Sequence, residues 1–305
     1  MQKKNMFFFL RCKTFNFQLS TFNFISYLCS HKNKKYRLSL EHCSLAKNCL
    51  RFPKTLKTPK TLKTLKSLKT LKSLKSLKKL HKTMKIGLIV AMDKELVQLQ
   101  KLFDGTDVIV RKCGIGKVNA ALCAQKMIFE HHPDCIISSG CAGGNGDDIK
   151  IRDVIVGSEI TYHDVYCGKA IDDTTVYGQV QGLPVRYKGD PFLMNKALEL
   201  NNILATKDDM DIKLHSGLIV TGDWFVDSKA KMADIIGLFP DAKAVDMESA
   251  AIAQTCHIHN VPFISFRVIS DIPLRDTDAS QYHNFWDTVA NQSFQITKQF
   301  VESLG

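Results

Sequence analysis

Glu95, Glu248 and Asp271 are the residues of this sequence best placed to do chemistry. Each follows or closes an apolar, β-rich run: KIGLIVAM (85–92) leads to Glu95, KAVD (243–246) leads to Glu248, and PFISFRVISD (262–271) ends on Asp271. Glu248 is walled by Met, Ser and Ala, a setting in which a carboxylate is either paired or has a task. In sheets flanked by helices, ligands gather at the carboxyl ends of strands, so three strand-end acids can meet in one crevice. Such a set suits cleavage of a glycosidic bond. One acid, kept protonated, donates to the leaving group, while a carboxylate activates water on the opposite face of an oxocarbenium-like transition state. A third can hold sugar hydroxyls, since an ionised carboxylate accepts several hydrogen bonds. The competing reading is structural: strand-end acids also cap helices and pair with bases.

The elements that must position these acids alternate along the chain. Strand-like runs occupy 85–92, 107–114, 134–144, 153–164, 213–223, 243–246 and 262–271. Helix-like runs occupy 94–103, 117–132, 191–205, 228–238 and 247–260, and a closing amphipathic helix is expected over 282–303. In 117–132 the apolar spacing of Val118, Leu122 and Met127 marks a helical face. Residues 165–190 read as a Gly-rich, polar excursion. The alternation predicts an α/β fold, a three-layer sandwich with a central mixed, twisted sheet flanked by helices.

Charge divides the chain at about residue 83. Residues 1–83 hold 21 of the 42 Lys and Arg and one acid, Glu41, whereas 84–305 is net acidic. The tract TLKTPKTLKTLKSLKTLKSLKSLKKL (55–80) repeats Ser/Thr, Leu and Lys in triplets. At 3.6 residues per turn that period builds no stable apolar face, and the segment is expected to be a disordered extension. Three readings stand for it: start-codon choice, since Met84 opens a natural first strand; organellar targeting; and charge-mediated binding of a polyanion. No run of about 18 apolar residues occurs, so no membrane-spanning helix is expected. The ten cysteines form no CxxC and no zinc-type spacing, which fits buried free thiols and no metal. CGIGKVNAA lacks the sixth-position Gly or Ala of a dinucleotide fingerprint, and no Walker loop is present.

Five motifs in one order, AMDKE (91–95), GIGKVNAA (114–121), SGCAGG (139–144), VDMESAAIA (245–253) and RVISD (267–271), resemble the 5′-methylthioadenosine/S-adenosylhomocysteine nucleosidases of the nucleoside phosphorylase superfamily. The resemblance covers 84–305 and none of 1–83. It implies hydrolysis of the N-glycosidic bond of 5′-methylthioadenosine and S-adenosylhomocysteine, with 5′-deoxyadenosine as a further candidate, without a cofactor. By the same resemblance Asp271 protonates adenine N7 with Ser270 orienting it, and Glu95 activates water. Glu248 grips the ribose 2′- and 3′-hydroxyls with Met247 packed on the sugar, and Arg267 lies close to the water and the acids. Phe225 stacks on adenine, the Val226 backbone reads the base edge, Ala142 and Gly143 permit close approach, and Met92 and Ile115 line the pocket. Tyr282 is the matching pocket-closing aromatic.

The resemblance further implies a cytoplasmic homodimer in which 165–190 contributes to the partner's site, with no nucleic-acid or membrane partner. Two positions depart from the family's usual residues: Asp246 stands where Glu is common and Cys141 where Ser or Thr is common. Two rival functions share the fold, a purine nucleoside phosphorylase and a non-catalytic nucleoside-binding or storage protein.

Overall fold

A computed structural model describes residues 84–168, 173–204, 212–276, 280–288 and 294–305. The basic segment 1–83, expected above to be a disordered region separate from the domain, lies outside the described residues. The strands are β1 (Ile86–Val90), β2 (Ile109–Lys112), β3 (Cys135–Gly144), β4 (Val154–Tyr162), β5 (Tyr187–Lys188), β6 (Leu214–Thr221), β7 (Ala242–Asp246) and β8 (Phe263–Asp271). The helices are α1 (Asp93–Leu102), α2 (Lys117–His131), α3 (Pro191–Leu204), α4 (Lys229–Leu238), α5 (Ser249–His259), α6 (Ser280–Thr288) and α7 (Gln295–Glu302).

The strands form one mixed sheet in which all but β5, paired antiparallel with β4, fall into two parallel sets. β2, β1, β3 and β8 run parallel to one another, and so do β4, β6 and β7. The sets meet antiparallel twice, along β4 and β8 and at the tips of β3 and β7, where Gly143 pairs with Val245 and Gly144 with Ala244. The path β3–β8–β4–β6–β7 therefore closes on itself. That closure needs glycine at the tip of β3: a Cβ on Gly144 would lie 2.9 Å from Ile269 Cγ2. The two sets bring their carboxyl ends to one place, as the strand-end acids require.

Side chains alternate between the two faces with the period of two that strands impose. On β1, Ile86, Leu88 and Val90 face a core shared with Leu99 of α1, Leu193 of α3, Phe285 of α6 and Phe300 of α7. Ile89 faces the opposite core, shared with α2 and α5. Helices thus cover both faces. Each fully buried Leu, Ile or Phe contributes about 1.5–3 kcal/mol of transfer free energy.

Two expectations are corrected. Among the described residues the closing helix is two helices, α6 and α7. Phe285 and Phe294 are both buried in the same core, yet nine residues on one straight helix, at about 100° each, would set them on opposite faces. The face of α2 is also different from the one expected. Ala120, Ala124, Met127 and Ile128 are buried, whereas Val118 and Leu122 are exposed. The small alanines let α2 lie against α5, whose own buried face is Ala-rich.

Candidate active site

Glu95 is the third residue of α1, one turn after β1 ends. Its carboxylate folds back to accept N–H bonds from Ala91 and Met92, both at 2.9 Å on Oε2, and from Cys141 on β3 at 2.9 Å on Oε1. It caps its own helix and ties β1 to β3, so the structural reading holds in part. A carboxylate offers about four acceptor positions; three are filled, and one on Oε1 is left for a ligand. Burial raises the affinity of Glu95 for its proton, while Arg267 and the three N–H groups oppose that rise.

Glu248 occupies the residue before the first turn of α5, where a carboxylate would ordinarily cap. It does not. The N–H of Ser249 is met by Asp246 at 3.3 Å and that of Ala250 by Thr221 Oγ1 at 3.0 Å. Glu248 is thereby released to reach across the crevice, where it accepts the Gly116 N–H at 3.0 Å. Arg267 Nη2 lies 3.7 Å from its other oxygen. Burial pushes Glu248 up to about 7, with Asp246 and Glu95 adding to the rise and Arg267 and the Gly116 N–H resisting it.

Asp271 ends β8 beside an irregularity. Ala142 pairs with Ile269 but Gly143 pairs with Asp271, so β8 carries one extra residue, Ser270. Consecutive strand residues point to opposite faces; the bulge re-aims them, and both Ser270 and Asp271 line the cavity. Ser270 Oγ donates to Asp271 Oδ1 at 2.6 Å, leaving Oδ2 open. Burial raises Asp271, Asp276 adds to the rise, and the Ser270 hydroxyl opposes it.

Arg267 lies beneath the cavity floor, 1% exposed. Its Nε pairs with Asp246 Oδ2 at 2.8 Å and its Nη2 donates to Ser138 Oγ at 2.8 Å. Nη1 and Glu95 Oε1 both lie against Gly140, where an added Cβ would sit 2.6 Å from each. The cavity walls are apolar: Met92, Ile115, Ala142, Val245, Met247 and Phe225 among them. Phe225 and Tyr282 meet edge to face with centroids 5.3 Å apart, and the Tyr282 hydroxyl contacts Met92 Sδ at 3.5 Å. The arrangement combines an apolar slot with the carboxylates of Glu95, Glu248 and Asp271 in its lining.

The sequence profile of the Phosphorylase superfamily matches residues 77–302. A 5′-methylthioadenosine/S-adenosylhomocysteine nucleosidase of Chromohalobacter salexigens is 38% identical over 201 residues, covering 66% of this chain and 82% of that protein. A protein of the same description from a Geobacillus species is 36% identical over 243 residues, covering 72% of this chain and 99% of its own. The crystal structure of the Neisseria meningitidis nucleosidase in complex with methylthio-immucillin-A superposes with a TM-score of 0.64 at 34% identity, over 72% of this chain and 98% of that one. The Colwellia psychrerythraea nucleosidase in complex with adenine gives 0.66 at 30% identity, over 73% and 96%. The chain belongs to the 5′-methylthioadenosine/S-adenosylhomocysteine nucleosidase family.

Of the residues that the resemblance to this nucleosidase family singled out, Glu95, Glu248, Asp271, Ser270, Met247, Phe225, Val226, Ala142, Gly143, Met92, Ile115 and Tyr282 line one cavity. Arg267 does not line it and acts from behind. Sequence reasoning missed three contributors. Asp246 and Thr221 cap α5, and Gly116 supplies an N–H to Glu248. Asp246 was legible as a departure from the nucleosidase pattern but carried no role. Trp224 also lines the cavity, and Lys231 Nζ sits 4.3 Å from its ring centroid.

Proposed function

We propose that this protein hydrolyses the N-glycosidic bond of 5′-methylthioadenosine and S-adenosylhomocysteine, releasing adenine and the 5′-substituted ribose. The observation that carries the reading is the convergence of Glu95, Glu248 and Asp271 on one apolar cavity. Asp271, whose hold on its proton is strengthened by burial, donates to adenine N7, and Ser270 fixes the carboxyl's orientation. As electrons move into the purine, the sugar becomes oxocarbenium-like, and the open position on Glu95 Oε1 accepts a proton from the attacking water. Glu248 accepts from the ribose 2′- and 3′-hydroxyls. Phe225 stacks on adenine, and the Val226 backbone meets its edge. Each acid–base step contributes typically 10²–10⁴-fold.

Phosphorolysis fits the site less well. The residues lining the cavity include four acids and no Lys or Arg, and Arg267 is already shared among Asp246, Glu248 and Glu95. A phosphate dianion placed beside Glu95 would meet repulsion without a compensating cation. Incubation with 5′-methylthioadenosine in ¹⁸O-labelled water, with and without phosphate, tests this. Adenine release independent of phosphate, with label at the ribose anomeric carbon, is expected. A requirement for phosphate with 5-methylthioribose-1-phosphate formation would establish the phosphorylase instead, and binding without adenine release would establish a non-catalytic protein.

The assembly in this reading is a homodimer in which 165–190 of one subunit completes the 5′ side of its partner's cavity. Residues 169–172 lie outside the described residues, but Tyr166 is exposed, as are Val118 and Leu122 on α2 beside the half-exposed Ile115. The reading places the reaction in the cytoplasm, a compartment that keeps thiols reduced; the six described cysteines are free. Among the described residues no helix is long and apolar enough to cross a membrane.

A further inference from the structure

Asp246 borders the cavity and could be taken for a substrate ligand, but its acceptor positions are filled. Oδ1 receives the Thr221 hydroxyl at 2.5 Å and the Ser249 N–H at 3.3 Å. Oδ2 receives the Ser249 hydroxyl and Arg267 Nε, the latter at 2.8 Å. A carboxylate has about four such positions, so none remains for a ligand. Whatever Asp246 does for the reaction it does through its neighbours, Arg267 foremost among them.

The geometry of that arginine shows what this is. A guanidinium is a rigid planar fork. With Nε held by Asp246 and Nη2 by Ser138 and Ser249, its rotation is fixed, and Nη1 and Glu95 Oε1 both lie against Gly140. Nη2 stays 3.7 Å from Glu248, beyond a direct hydrogen bond. One cation serves three buried acids, and Asp246 has the closest hold. We propose that Asp246 is a positioning residue, which fixes Arg267 by its Nε edge and takes a share of guanidinium charge that Glu248 and Glu95 would otherwise receive.

This rests on the roles given above to Glu248 and Glu95. The groups facing Glu248 are Arg267 from β8, Asp246 from β7, Glu95 from α1, the Cys113 thiol after β2 and the Gly116 N–H before α2. Among the charged ones, Asp246 and Glu95 favour the protonated carboxyl and Arg267 the ionised one. Removing the Asp246 charge takes away a repulsion and frees Arg267, and both effects favour ionised Glu248. Glu95 moves in the same direction. Asp271 instead faces Ser270 and Asp276, so the alkaline limb serves as an internal control.

The test is the pH profile of kcat/KM for 5′-methylthioadenosine in wild type, Asp246→Asn and Asp246→Glu. In Asp246→Asn the acid limb is expected to move down by about one pH unit, whatever happens to the plateau, with the alkaline limb unmoved. Asp246→Glu, which keeps the charge, is expected to restore the wild-type limb. Thermal melting checks folding, and Asp246→Ser is the second neutral variant if Asp246→Asn does not fold. A neutral variant that loses activity with its acid limb in place, or moved upward, overturns the proposal and leaves Asp246 a helix cap. A wild-type protein that releases no adenine overturns the nucleosidase reading itself, so the two failures are distinct.

Discussion

Gly140→Ala puts the proposed water-activating corner under direct strain. The new Cβ would lie 2.6 Å from Glu95 Oε1 and 2.6 Å from Arg267 Nη1, where ordinary contact begins near 3.4 Å. Neither neighbour can recede freely. Glu95 Oε1 is tied to the Cys141 N–H at 2.9 Å, and Arg267 is held by Asp246 and Ser138, each at 2.8 Å. Relief therefore demands a displacement of roughly 0.8 Å at each of the two contacts, one to a proposed base and one to its neighbouring cation. Misplacement on the 1 Å scale costs about 10²-fold in rate, and overpacking a buried site costs about 1–3 kcal/mol. The proposed adenine stack on Phe225 and the proposed Glu248 clamp are not touched. The expected result in steady-state kinetics on 5′-methylthioadenosine is a fall in kcat of about 10²-fold with KM changed far less. Urea denaturation should show the protein folded but less stable. A folded variant with kcat within threefold of wild type would show that the Glu95–Arg267 corner does not govern the reaction.

Other outcomes follow from the same geometry. Glu248→Gln should weaken substrate binding yet raise stability at pH 8 by about 1–3 kcal/mol. The sign follows from a folded-state value of about 7 against an ordinary 4.5: folding loses stability as pH rises through that window, and the neutral amide escapes the loss. Urea melts at pH 5 and pH 8 check this, and a destabilised variant at pH 8 would refute it. Phe225→Ala should raise KM about tenfold or more with kcat less affected, since it removes a stacking face of about 1–3 kcal/mol; an unchanged KM would place the purine elsewhere.

Much of this site was legible in the sequence because its acids sit at strand ends, where topology brings them together. Their partners were less legible. Nothing local in VDMES says that Asp246 and Thr221 cap α5 so that Glu248 is free, because Thr221 lies 25 residues upstream and meets Asp246 only through the β6–β7 pairing. The Ser270 bulge was equally hidden: it arises from register against β3, which composition does not encode. The helical face of α2 was misread because hydrophobicity and burial part company there. Small alanines fill the tight contact, while Val118 and Leu122 face outward. The break between α6 and α7 was readable in principle from the nine-residue separation of Phe285 and Phe294, once both were known to share one core.

The account stands on a proton held at Asp271 for the departing purine, and the most direct measurement is adenine release by Asp271→Asn under single-turnover conditions. Asparagine keeps the shape and can still accept from Ser270, so 5′-methylthioadenosine should bind at near wild-type concentration while the rate of bond cleavage falls by about 10²–10⁴-fold. Cleavage at the wild-type rate in the folded variant would contradict the account.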